Sequence, residues 1–79
     1  MIAYLKKVSA DDKKIIYRYS YLEPIYDGLI TIDCLSGETK IELSGDEWAA
    51  MRMAKIAAGK IMLWRSENKL PDKYNICTG

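Results

Sequence analysis

Apolar and polar residues alternate along the chain in three successive segments between positions 14 and 43. A period of two is typical of β-strands that bury one face and expose the other. We therefore predict strands at about 14–22, 29–35 and 39–43. Their apolar positions are Ile15, Tyr17, Tyr19, Tyr21, Ile30, Ile32, Cys34, Ile41 and Leu43.

Residue types that favour turns separate these strands. The Asp-Asp pair at 11–12 ends a short mixed segment at 3–8, which we assign as a first strand. Between the second and third strands, Pro24 lacks a backbone donor, and Gly28 can supply the positive φ that closes a turn. A Ser-Gly pair at 36–37 provides the next reversal. Consecutive strands joined in this way predict an antiparallel meander.

A helix is predicted to follow the fourth strand. Ser44 and Glu47 have the spacing of a capping box, in which each side chain satisfies a free backbone N–H at the helix start. Leu43 and Trp48 occupy the two positions of a hydrophobic staple. Asp46 adds a negative charge in the first turn, which suits the positive end of the helix dipole.

The helix is predicted to span about 45–68. Good helix formers continue to Asn68, and Pro71 disfavours the α conformation at Leu70. The tail at 70–79 either lies along the domain or frays. The whole chain, 1–79, is one small domain of the α+β class. Its predicted fold is a four-stranded antiparallel meander sheet (ββββα) with one long C-terminal helix packed across one face.

At 100° per residue, one half of the predicted helix is apolar and is expected to face the sheet. Its central residues are Ala50, Met53, Ala54, Ala57, Ile61 and Trp64, and Ala49, Ile56 and Leu63 flank them.

The opposite half of the helix carries apolar residues among charged ones. The candidate interface residues on this side are Trp48, Met51, Arg52, Lys55 and Met62. Three interpretations stay open. The apolar groups are isolated surface residues, or they pack on a second copy or another protein, or the C-terminal tail covers them. Since Met and Trp beside Arg are typical of contact surfaces, a homodimer is one expected outcome.

The tyrosine row on the second strand has two interpretations. Rings on an exposed sheet stack on bases, which gives an alternative nucleic-acid site of Arg18, Lys40, Tyr17 and Tyr19, with Tyr4 and Tyr26 nearby. In the other interpretation the row faces the helix and forms part of the core. The charged residues expected on the outward face are of mixed sign, which disfavours phosphate binding.

Charge and composition indicate a cytoplasmic protein. Twelve Lys and Arg balance eleven Asp and Glu, so no strong field draws the chain to nucleic acid or anionic lipid. The start lacks a signal-peptide pattern, and the apolar stretch at 56–64 is about half a membrane span. Cys34 and Cys77 have no paired spacing and are expected to be reduced.

The sequence indicates no catalytic chemistry. It has no histidine, the commonest general base and metal ligand. It also has no phosphate-binding loop, dinucleotide fingerprint or nucleophile elbow. We therefore expect no enzyme activity, cofactor, metal or small-molecule ligand. The expected function is a small non-catalytic intracellular protein-interaction module, and the alternative is a weak nucleic-acid-binding or regulatory accessory protein that uses the sheet.

Overall fold

The structure, a computed structural model, describes residues 2–45 and 47–77. These residues form one antiparallel sheet and one helix in an α+β domain. The elements are β1 (Ile2–Ala10), β2 (Lys14–Tyr21), β3 (Gly28–Asp33), β4 (Thr39–Glu42), α1 (Trp48–Ser66) and β5 (Lys73–Cys77). The strands lie in the order β4-β3-β2-β1-β5, so the first four form the predicted meander.

The sheet has five strands, so the prediction of four with an unassigned tail was wrong. Strand β5 comes from that tail and pairs antiparallel with β1, with Ala3 opposite Ile76. Without β5, the outer side of β1 would be an edge with free backbone groups. Ile76 is 3% exposed. The segment at 73–77 is therefore part of the sheet, and Ile76 is part of the core.

Two aspartates shape the turns that the sequence predicted. Asp11 accepts hydrogen bonds from the backbone N–H groups of Lys13 and Lys14, each at 2.8 Å. Asp33 accepts them from Leu35 and Ser36 at 2.9 and 3.2 Å. These backbone donors lower the pKa of both carboxyl groups below the usual value, because they stabilise the charged form.

The loop between β2 and β3 reverses differently from the prediction. The residues with positive φ are Leu22 (71°) and Tyr26 (51°), whereas Gly28 already belongs to β3. Gly28 is needed for space instead. A Cβ at this position would lie 2.8 Å from the carbonyl oxygen of Tyr19 and 3.2 Å from that of Glu42.

The predicted capping box at the helix start is wrong. Glu47 is the N-cap residue, and its own side chain makes no capping hydrogen bond. The Ser44 hydroxyl, which was predicted to cap the helix, instead donates a hydrogen bond to the Asp27 carboxylate in the loop between β2 and β3. Trp48, assigned to a hydrophobic staple, is 73% exposed. Asp46 lies outside the described residues.

The helix ends two residues before the predicted position, in a Schellman motif. Asn68 has a φ of 57° and donates its N–H to the Arg65 carbonyl at 3.0 Å. The N–H of Lys69 reaches the Trp64 carbonyl at 2.8 Å. Asn is one of the few residues that adopt this left-handed conformation at low cost, which explains why the helix stops here.

Buried side chains of the sheet and of α1 belong to one hydrophobic cluster. We call the sheet face that carries Leu5, Tyr17, Tyr19, Ile30 and Ile32 the apolar face. The helix contributes Met53, Ala54, Ala57, Ala58 and Ile61 to the cluster. The opposite side, which carries Tyr4, Lys6, Arg18, Thr31 and Lys40, is the polar face. Within the described ranges, no helix has the length and apolar character needed to cross a bilayer.

Candidate functional site

The side of α1 that points away from the core carries several exposed apolar side chains. We call this surface the outer helix face. Its residues are Trp48, Arg52, Lys55, Ile56, Gly59, Met62 and Leu63. Most of them recur at the 3- and 4-residue spacings that place side chains on one side of a helix.

Four residues of the outer helix face are large and apolar. Trp48 is 73% exposed, Leu63 55%, Ile56 39% and Met62 38%. Of the predicted interface residues, Trp48, Arg52, Lys55 and Met62 are exposed, whereas Met51 is half-buried.

The sequence prediction placed two of these residues wrongly. Ile56 and Leu63 were expected beside the core and are exposed, whereas Ala58, which is not part of the predicted apolar half, is 6% exposed. The buried sector of α1 is narrower than the apolar arc in the sequence. The surplus apolar residues therefore face outward.

Charged groups frame the outer helix face. The Arg52 guanidinium lies 5.5 Å from the centroid of the Trp48 ring, one helical turn away, in a cation–π arrangement. Lys55 is exposed nearby, and the acidic residues Glu47 and Glu67 are exposed at the two ends of α1. The N-terminal half of the face thus carries the cations Arg52 and Lys55, and an exposed carboxylate lies at each end of α1.

Gly59 lies at the centre of the outer helix face. Its backbone does not require glycine, because it lies inside the helix and has no positive φ. Apart from its two chain neighbours, no side chain or other element of the described residues lies within 4 Å of the position that a Cβ would take. A glycine in a helix interior costs about 1 kcal/mol relative to alanine. Nothing in the described part of the chain makes use of the space that Gly59 leaves open.

The structure does not bring together the four residues of the alternative nucleic-acid site. Tyr17 and Tyr19 lie on the apolar face and are 0% and 1% exposed, whereas Arg18 and Lys40 lie on the polar face. The Tyr17 hydroxyl donates to the Pro71 carbonyl at 2.6 Å, and its ring centroid is 6.4 Å from that of Trp64. The two tyrosines therefore serve the core.

A small cavity lies where β2 and β3 diverge. Its volume is about 130 Å³, which is room for a few water molecules. Asp27 and Glu47 contribute negative charge to its lining, and Ser20, whose buried hydroxyl has no partner among the described residues, also lines it. Residues 2–45 and 47–77 contain no group of three or more His, Cys, Asp or Glu side chains placed to hold a metal ion.

Polar groups and tyrosines that sequence reasoning did not combine meet on the polar face. Lys6 of β1 lies opposite both Arg18 of β2 and Lys73 of β5. Tyr4 and Tyr26 lie beside them, with ring centroids 6.4 Å apart. The available signal was the alternation in β1, but the pairing with β5 could not be read from it.

Protein-family models, curated proteins and solved structures were compared with the chain, and none gives a significant match.

Proposed function

We propose that this protein is a small non-catalytic interaction module that self-associates through the outer helix face. The observation that carries the proposal is the group of exposed apolar side chains around Gly59. Isolated surface apolar residues are normal, but a helix with both an inner and an outer apolar side is typical of one that contacts a second surface. A domain of this size also gains stability from additional apolar contact.

The distribution of charge favours an antiparallel pair of helices that cross at Gly59. In such a pair, positions equally far before and after Gly59 lie opposite one another. Ile56 then meets Met62 of the second copy, and Arg52 meets Ser66, which lies between Arg65 and Glu67. In a parallel pair, Arg52 of one copy would instead lie opposite Arg52 of the other copy, and the two positive charges would repel each other.

Gly59 supports this arrangement because a helix pair packs more closely where side chains are small. Helix axes usually lie 8–10 Å apart, and the side chains at the contact set the distance. The gap at Gly59, which no other described residue fills, would hold the backbone of the second helix. The exposed Leu63 and Ile56 side chains would pack on either side of that contact.

We propose that the protein self-associates in the cytoplasm. The support is that Cys34 and Cys77 are both free, since unpaired thiols persist in reducing compartments.

The test is sedimentation equilibrium of the native chain and of Ile56→Glu and Leu63→Glu. The native chain is expected to be a dimer at high micromolar concentration, and each variant a folded monomer, because a buried unpaired carboxylate is costly. Leu35→Glu is the matched control, since Leu35 is 80% exposed in the turn after β3, away from α1. A native chain that stays monomeric, or a control that dissociates equally, contradicts the proposal.

A further inference from the structure

Three cations lie side by side on the polar face of the sheet. Arg18 of β2 is directly opposite Lys6 of β1, which is directly opposite Lys73 of β5. All three are exposed. Since neighbouring strands are about 4.8 Å apart, the row spans about 10 Å. We call Arg18, Lys6 and Lys73 the basic row.

The basic row has no acidic partner within the described residues: the ion pairs found there join Lys7 to Asp72 and Lys40 to Glu42. Like charges directly opposite on adjacent strands are unfavourable. The nearly neutral net charge of the chain therefore hides a local concentration of positive charge. Such a local patch, and not the total charge, is what a polyanion meets.

The acidic side chains of the same face are already engaged. Glu42 lies 3.1 Å from Lys40 at the β4 edge. Asp33 accepts backbone hydrogen bonds in the turn that follows β3. The charge balance expected from the sequence therefore holds near β4 but fails over β2, β1 and β5.

Two tyrosines border the basic row. Tyr4 lies on the polar face between Ser20 and Asn75, and the Tyr26 ring meets it edge to face, with an interplanar angle of 71°. The Lys6 ammonium lies 5.9 Å from the centroid of the Tyr26 ring. Both tyrosines are half-buried, so part of each side chain remains accessible.

A groove of about 400 Å³ opens beside these rings. Its lining residues are Tyr4, Pro24, Tyr26, Lys73, Tyr74 and Asn75. It thus combines aromatic surface, an amide side chain and one cation of the basic row.

We propose that the polar face binds a single-stranded nucleic acid. The basic row contacts successive phosphates, and a base enters the groove against Tyr4 and Tyr26. Cations that follow the backbone, combined with rings on which bases stack, are the features of surfaces that bind single strands without sequence preference. An acidic peptide or a lipid surface would use the cations but has no need of a groove between two rings. This inference does not depend on self-association, because it uses the sheet and not α1.

The binding experiment uses a fluorescein-labelled oligothymidylate of about 20 nucleotides, longer than most single-strand sites. Fluorescence anisotropy is expected to show saturable binding at low salt, with a Kd in the micromolar range. The logarithm of the binding constant should fall linearly with the logarithm of salt concentration, by about 0.7 for each phosphate contacted. No saturable binding at low salt would overturn the proposal.

The matched variants separate the basic row from charge in general. Replacing Arg18, Lys6 and Lys73 with glutamine should reduce the salt slope by about 2 and abolish binding at moderate salt. The control triple, Arg65→Gln, Lys13→Gln and Lys69→Gln, removes the same types and number of charges elsewhere and should bind like the native chain. Equal loss in both triples would overturn the proposal.

The aromatic contact and the class of polyanion have their own tests. Tyr26→Ala should weaken oligothymidylate binding about tenfold, since base stacking on a ring contributes at that scale. It should leave binding to polyglutamate unchanged. Equal affinity for polyglutamate, or for phosphatidylserine vesicles, would show a general anion surface and contradict the assignment to nucleic acid.

Discussion

The Tyr19 hydroxyl donates a hydrogen bond to the Ala50 carbonyl at 2.7 Å, and this bond joins the middle of the sheet to the first turn of α1. The ring itself is 1% exposed. It helps to fix the helix against the apolar face, which in turn decides which residues of α1 point outward. The outer helix face thus depends on a tyrosine that the sequence also offered as a nucleic-acid contact.

Tyr19→Phe is expected to lower the free energy of unfolding by about 1 kcal/mol, because the Ala50 carbonyl loses its hydrogen-bond donor while the ring stays in place. Urea unfolding measures the change. Tyr74→Phe is the control, since Tyr74 is partly exposed and no hydrogen bond of its hydroxyl is found in the described part of the chain. Equal changes in the two variants would show that the bond contributes nothing.

Stability is expected to fall as the pH rises from about 10 to about 12. Burial, with a smaller effect of the Asp72 charge, raises the pKa of Tyr17 from 10.0 to about 12. Burial, followed by Tyr21 and Glu47, does the same for Tyr19. The two tyrosines lose their hydroxyl protons at lower pH in the unfolded chain than in the folded chain. Their contribution to the free energy of unfolding is therefore complete below pH 10 and is lost as the pH rises to about 12.

Urea unfolding across this pH range checks the alkaline prediction. The variant with both Tyr17→Phe and Tyr19→Phe is the control, since it lacks the two hydroxyls and should show a smaller loss. Apart from the two hydroxyls, the native chain and the double variant have the same ionisable groups. An identical pH dependence in the native chain and the double variant would contradict the assignment to these tyrosines.

Gly28→Ala is expected to destabilise the domain by about 1–3 kcal/mol, since the added methyl group would meet backbone oxygens that cannot move freely. Gly45→Ala is the matched control, because no described atom beyond its own chain neighbours lies within 4 Å of its added Cβ. Thermal unfolding distinguishes the two. If both substitutions are neutral, the close approach of Tyr19 to Gly28 is not present in solution.

Ile76→Ala tests the fifth strand. Ile76 is 3% exposed, so removal of its side chain should cost about 2–5 kcal/mol through lost contacts and a residual cavity. Asn75→Ala, one position away on the polar face, should change stability little. A neutral Ile76→Ala would place this segment outside the core, as the alternative of a frayed tail predicted.

The sequence predicts the antiparallel meander well because each apolar face of β2, β3 and β4 has a clear period and each turn has local signals. Strand β5 has one buried residue among five, so its alternation of apolar and polar residues is weak. It pairs with β1 because β1 would otherwise be a free edge of the sheet, which the local sequence does not show. The helix start fails for a related reason, since Ser44 has a partner in a distant loop. Local patterns do not encode such partners.

The candidate surfaces, too, could be predicted only in part from local sequence patterns. Trp48 and Met62 are exposed, in agreement with the prediction that they lie on the outer half of the helix. The exposure of Leu63 depends on how α1 is rotated about its axis, which packing in the core determines. The basic row could not be predicted, because it requires the register of β1 with β5, which lie at opposite ends of the chain.

The most direct test of self-association through the outer helix face is disulfide formation at its centre. In a background with Cys34→Ala and Cys77→Ala, an equimolar mixture of the Ile56→Cys and Met62→Cys chains should form a covalent dimer rapidly under mild oxidation, because an antiparallel crossing sets these two positions of the two copies opposite each other. Leu35→Cys in the same background reports random collision. A mixture that cross-links no faster than Leu35→Cys would contradict the proposed dimer.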